Sequence, residues 1–590
     1  MKLNKTFIVK NILAAFVAVA FVGCTDLDEK VLDEVLGEDS GNAQGALAAA
    51  YDRLGDRTFV DNGGMFAMQE YASDIAILPT RGSDWGDGGK WRAMHEFTWT
   101  PDNAVVTDNW NSLTNGITRS LTAIKSINAS DISEKELFLA EAKGLLAFYT
   151  YTTLDLYGQA PYRDPLVENA PLEILQAGDA IDDLILEMEE IIPNLADLGS
   201  QSTHNGRFTK QAAYALLAQM YLNRSVYKDR YNASSSFNFT EEALSGGGTD
   251  MDRVIYYSNL VINSGMFSLE SNYFDNFAIH NEAGSELIFV VTQKIDMIRN
   301  GDNDLAYTSM ERNQRVSAAN RGTNASCITP EFYASWNGNH DDPRFHRYVQ
   351  YADGTWFMND GTTASVPATD IVPGTSNPWF HFNYGIMAGQ QYGPKLTAAG
   401  AFEMTPDNRI KVSQLFMEKS STTPMIFTPE LNFDNASQAV LAQNQINRGA
   451  RCFKFEFDPE EGNGSSNSDI PLFRLGGVYT MRAEAYFRKG DLGNALADIN
   501  MLRTSRTRES LYGNVPGLPI ASIDANTLYK ELGFEMYWEM WRRPQMVRFG
   551  KIDQALPDSA KPATEPYRRI FPIPQETMDV SRGFIQNQGY

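Results

Sequence analysis

Hydrophobic and polar positions follow two regimes along this chain. From about 107 to 225 and from about 470 to 550, apolar residues recur three and four positions apart, as on amphipathic helices that bury one face. Between about 300 and 450 that period disappears, and Gly, Asn, Asp, Thr and aromatic residues predict loops. Ser133-Glu134-Lys135-Glu136 has the form of a capping box, predicting a helix through Leu139, Ala142, Leu146 and Tyr149 that stops at Gly158 and Pro161. A second helix is predicted from Asp179 to Ile192, with Ile181, Leu184, Ile185 and Met188 on one face and Pro193 as its end. A third, Lys210 to Asn223, carries Ala212, Ala215 and Ala218, small enough for close helix contact.

The clearest pair lies in Leu472–Arg506. One helix ends near Lys489, Gly490 supplies a left-handed turn, Asp491 caps the next helix, and Ala495, Ile499 and Leu502 face back. This antiparallel hairpin resembles a tetratricopeptide unit, as do the stretches near 135–157 and 207–265. The units keep no fixed period, so they are expected as interrupted pairs packed into one body rather than as a regular solenoid.

The first residues form an export leader. Lys2, Lys5 and Lys10 precede an apolar run from Ile12 to Val22, too short to span a bilayer but suited to a secretory signal. Phe21-Val22-Gly23-Cys24 resembles a bacterial lipobox, which implies acylation of Cys24 and a lipid anchor at a membrane face, and the acidic Thr25–Glu29 that follows reads either as a surface-export signal or as a solvated tether. The expected division is a signal peptide (1–23), a tether (24–45), an N-terminal helical region (46–300), a loop-rich insertion (301–450) and a C-terminal region (451–590). Cys327 and Cys452 are the cysteines left, and a disulfide or two buried thiols are both open. A net charge of −24 repels phosphodiesters and argues against a nucleic-acid partner, whereas a neutral ligand feels little of that field.

Catalytic signatures are missing. The six histidines are scattered without zinc spacing, and no Gly-x-Ser-x-Gly elbow occurs, so no catalytic residue and no metal ligand is assigned. Asn300 to Glu311 partly mimics a calcium loop but has Leu305 where glycine is essential; oxygen-rich loops elsewhere leave calcium open, without a site. RGSDWGDGGKW, residues 81–91, fails as a phosphate loop: Asp84 stands at the first glycine position and Trp91 at the hydroxyl position. What remains is a flexible loop bearing Trp85 and Trp91 beside Asp74, Arg81, Asp84 and Asp87. Sugars present C–H faces to aromatic rings and hydroxyls to carboxylates and guanidinium groups, so this mixture suits a neutral glycan.

Several blocks resemble the SusD/RagB family of outer-membrane nutrient-binding lipoproteins. They are the EYASDIAILPTRGSDWGDGGKW stretch, Ser285–Phe289, Asp342–Phe345, the Leu472–Arg506 hairpin, ELGFEMYWEMWRRPQMVRFGK, and IFPIPQETMDV near the C-terminal QNQGY. The resemblance implies a mainly α fold with about four tetratricopeptide-like pairs and an irregular, ligand-facing half. It also implies a SusC-like TonB-dependent transporter as partner, and an oligosaccharide or polysaccharide ligand captured without catalysis. Asp74, Arg81 and Trp85 are the site residues that it carries over; Trp91 and Trp336 are added as loop aromatics. Oligopeptide capture and a tetratricopeptide scaffold without a nutrient are the alternatives. Glu535, Trp538, Trp541, Arg542 and Arg543 recur at helical spacing and are read as packing and ion pairs.

Overall fold

The computed structural model describes residues 42–590 apart from 234–235, 295–302, 436, 461–465 and 509–514. The expected signal peptide, Cys24 and all but the end of the tether lie outside the described residues. Numbering the long helices in order gives α1 (Ala43–Asp52), α2 (Ala104–Asn128), α3 (Lys135–Tyr157), α4 (Ala177–Ile191), α5 (Lys210–Lys228), α6 (Asp250–Ile262), α7 (Leu475–Arg488), α8 (Leu492–Ser505) and α9 (Ala525–Met536). None is long and apolar enough to cross a membrane.

From α2 to α8 each helix packs on the next, α9 lies mainly against α7, and α6 rests directly on α7 although the whole insertion separates them in sequence. The small residues act as expected: Ala212, Ala215 and Ala218 are fully buried on α5. Gly490 has φ +79°, which an L side chain rarely adopts, and Asp491 then accepts the Asn494 amide to start α8. Arg482 on α7 grips Asp498 on α8 through two hydrogen bonds of 2.9 and 2.6 Å, locking the hairpin.

Some boundaries differ from expectation. Ser133 does not cap α3; its hydroxyl donates to the neighbouring Glu134 carboxylate, and the helix begins at Lys135 without a side-chain cap. α4 begins two residues early, at Ala177, and α5 continues to Lys228. Thr249 and Asp252 make a true capping box at α6.

The loop-rich region is pinched at its base by antiparallel pairing of Leu287–Val291 with Ile470–Arg474, all ten residues buried. Within it the chain forms short strands, including the three-stranded ladders 451–453/384–387/346–347 and 392–394/409–414/365–367. Cys327 and Cys452 both lie in this half, buried and unpaired with each other.

A charged core ties the two halves together. Glu535 accepts from Arg474 (2.7 Å), Arg506 (2.8 Å) and Arg344 (3.3 Å), and Glu286 also pairs with Arg474 and Arg506. Glu535, Arg344 and Arg506 have side chains of zero exposure. Burial alone would keep Glu535 protonated, but the three guanidinium groups outweigh it and hold its pKa down at about 2. Of the residues read as packing and ion pairs, Glu535 and Trp538 are fully buried and Arg542 and Arg543 nearly so, whereas Trp541 is half-exposed.

Candidate functional site

The segment from Asp74 to Trp91 is stitched into the loop-rich half from both sides. Ala76–Ile77 pairs antiparallel with Cys327–Ile328, and Thr80–Arg81 pairs in parallel with Val440–Leu441. Reciprocal backbone bonds of 2.9 Å between Arg81 and Asp84 then close a tight turn. Beyond that turn Trp85 has φ +58° and Asp87 φ +35°, followed by left-handed Gly88 and Gly89. A bulky L residue in that region costs about 1–3 kcal/mol, and such strain collects where a side chain must be presented in one direction.

Trp85 is half-buried. Its indole N–H donates to the Thr323 carbonyl at 3.2 Å, and its ring meets Trp91 edge-on at 6.4 Å between centroids. The adjoining Asp84 carboxylate pairs with Arg312 at 2.9 Å and with Lys419. A rigidly held indole beside an ordered carboxylate and two cationic groups can receive a flat C–H face and bind hydroxyls around it.

The other expected site residues are placed differently. Arg81 is 1 % exposed, and its guanidinium donates to the carbonyls of Ala325, Ile446 and Arg448, so it anchors the base of the loop. Asp74 is clamped by Arg542 (2.6 and 2.9 Å) and the Tyr529 hydroxyl (2.7 Å). Burial by itself would raise its pKa, but Arg542 and these hydrogen bonds prevail and hold it below the usual carboxylate range. Trp336 is fully buried and stacks on Phe534 with centroids 3.7 Å apart. Trp91, 6 % exposed, bonds to Asp87 at 2.8 Å and plugs the loop against Gly63, where a Cβ would stand 2.9 Å from its ring. Expected as ligand contacts, Asp74, Arg81 and Trp336 are placed in the structure as supports: Arg542 and Tyr529 hold the Asp74 carboxylate, three carbonyls take Arg81 Nε and Nη1, and the Trp336 ring is buried against Phe534. Trp91 supports Trp85 from below.

Arg312, Thr323 and Lys419 complete the surroundings of Trp85, and the sequence reading missed them. They lie more than two hundred positions away, and no local pattern marks them. Elsewhere in this half, the tilted rings of Trp379 and His381, 4.4 Å apart, line a concavity of about 320 Å³ including its mouth, together with Tyr384 and Glu456. Among the described residues no cluster of three or more His, Cys, Asp or Glu could hold a metal ion. Within the calcium-like stretch, Asn300–Asp302 lie outside the described residues, and Glu311 accepts the backbone amides of Asn313 and Glu418.

The family model of the SusD family matches residues 285–590, more than half of the chain. The chain belongs to the SusD family. It is 25 % identical over 472 residues to the starch-binding protein SusD of Bacteroides thetaiotaomicron, covering 76 % of this chain and 72 % of that one. Among solved structures it is similar in fold to a laminarin-binding SusD-like protein (TM-score 0.60, 18 % identity, 93 % of this chain and 99 % of that one). It also resembles surface glycan-binding protein A from Bacteroides thetaiotaomicron in complex with laminarihexaose (TM-score 0.59, 17 % identity, 92 % and 98 %). As a SusD-family chain it has the SusD-like fold, mainly helical, and is a binding protein rather than an enzyme. The family match begins at Ser285, just before the strand pair at the base of the loop-rich half, so the buried Glu286–Arg474–Glu535 network falls wholly within it.

Proposed function

We propose that this protein captures oligosaccharides at the cell surface and delivers them to a SusC-like TonB-dependent outer-membrane transporter, held there by a lipid on Cys24. The observation that carries this reading is Trp85: half-exposed, in a left-handed backbone, fixed by the Thr323 carbonyl and bordered by Asp84, Arg312 and Lys419. The relatives named for starch, laminarin and laminarihexaose support a glycan as the ligand class. Trp91 contributes by bracing the Trp85 ring. Binding between millimolar and micromolar corresponds to about −4 to −8 kcal/mol, within reach of one stacked ring and several hydrogen bonds. Tethering beside a transporter raises the effective concentration of captured ligand and compensates for modest affinity.

Calorimetry against laminarihexaose, maltohexaose, a fructo-oligosaccharide and a mixed peptide library tests the ligand. Saturable binding of one glycan with none of peptide supports the reading; saturable binding of peptide alone turns it to oligopeptide capture. Co-purification from membranes tests the partner, and recovery of soluble assembly proteins without a transporter would favour a scaffold. Loss of membrane association in Cys24→Ala is the result expected of the lipid anchor.

A further inference from the structure

A second concavity, about 560 Å³ including its mouth, opens between α3 and the turn that follows α9. Gln69, Tyr151, Asp155, Gln219, Phe473 and Trp541 are among the residues around it. None of these belongs to the Trp85 loop.

Three local irregularities converge on it. Gln69 and Glu70 sit on a π-helical turn, Ala67–Tyr71, a geometry frequent at functional sites. Trp538 and Met540 both have φ +66°, a conformation that costs an L residue about 1–2 kcal/mol, and this turn leaves Trp541 half-exposed on the cleft wall. Gln69, 3 % exposed, donates through Nε2 to Asp155 at 3.0 Å, while its Oε1 has no hydrogen-bond partner among the described residues. An unmatched acceptor so deeply placed is costly unless something donates to it.

Charge narrows the class of donor. Asp155 is faced by Arg543 at 3.8 Å, and Glu539 is bound to Lys454 and Arg474. Burial pushes Glu70 up to about 8, against the pull of Lys454, so near neutral pH it is mostly an uncharged acid. With each carboxylate countered or neutral, neither a cation nor an anion is favoured. A half-exposed indole beside hydroxyl acceptors suits a neutral polyhydroxylated ring.

We infer that this cleft is a second saccharide site, taking one neutral sugar ring with its C–H face on Trp541 and its hydroxyls donating to Gln69 Oε1 and Asp155. The inference rests on the glycan reading given above for Trp85. The test is calorimetric stoichiometry with laminarihexaose, maltohexaose and a fructo-oligosaccharide on the wild type, Trp85→Ala, Gln69→Leu and Gln219→Ala. The expected result is two ligands per chain in wild type, one remaining in Trp85→Ala, and one remaining in Gln69→Leu with the Trp85 affinity unchanged. Gln219→Ala, altering a half-exposed wall residue, weakens the same site if Gln69→Leu fails to fold. One ligand per chain, lost entirely in Trp85→Ala, overturns the cleft site and leaves the Trp85 reading standing. Two ligands unaffected by both cleft variants also overturns it, and no binding of any oligosaccharide overturns both readings.

Discussion

Replacing Glu535 by Gln removes the charge at the centre of the buried network while keeping its shape. In wild type the carboxylate is shared by Arg474, Arg506 and Arg344, and its pKa falls from 4.5 to about 2. Every tenfold weakening of proton binding is worth about 1.4 kcal/mol, so the ionised group contributes roughly 3 kcal/mol at pH 7. That agrees with the usual cost of about 3–5 kcal/mol for removing one partner of a buried ion pair. The folded pKa is depressed, so this stability is fully present above pH 4.5 and is lost as the pH falls towards about 2. Urea unfolding followed by tryptophan fluorescence should show Glu535→Gln less stable by about 3 kcal/mol at pH 7. At pH 3 protonation of the unfolded chain has removed about 2 kcal/mol of the wild-type advantage, so the gap should shrink to about 1 kcal/mol. Equal stability at pH 7, or a gap that does not change between the two pH values, would refute a network held by an ionised Glu535.

Trp336→Ala should cost about 3–5 kcal/mol in the same assay, since a fully buried ring stacked on Phe534 is removed, and should leave glycan affinity unchanged in the folded fraction. Trp85→Gly should be more stable than Trp85→Ala by about 1 kcal/mol, because glycine relieves the left-handed backbone that alanine keeps; thermal unfolding of the two variants side by side checks this. Thr249→Ala should lower stability by about 1 kcal/mol through loss of the α6 capping box, measured by the same unfolding.

The helical scaffold was legible because its signals are local. The stripe of apolar residues at Ile181, Leu184, Ile185 and Met188, and the Gly490-Asp491 turn, need only the neighbouring turn of chain to act. Ser133 misled because a short polar side chain can bond to its neighbour as readily as to an amide three residues on. The site was legible only in part. Trp85 was marked by its glycine-rich surroundings, but the roles of Asp74, Arg81 and Trp336 were decided by Arg542, by the carbonyls of Ala325, Ile446 and Arg448, and by Phe534. Those partners lie about two to five hundred positions away and leave no trace in spacing. Trp336 follows a short helix, Pro330–Ser335, inside a stretch that otherwise reads as loop, which concealed its burial.

The central claim, that the strained loop exists to present Trp85 to a sugar, is tested most directly by titrating wild type and Trp85→Ala with the oligosaccharide that wild type binds. A ring at the centre of a binding site typically contributes about 2 kcal/mol or more, so the account predicts at least about a thirtyfold loss of affinity in a variant that remains folded. Affinity equal to that of wild type in folded Trp85→Ala would contradict it.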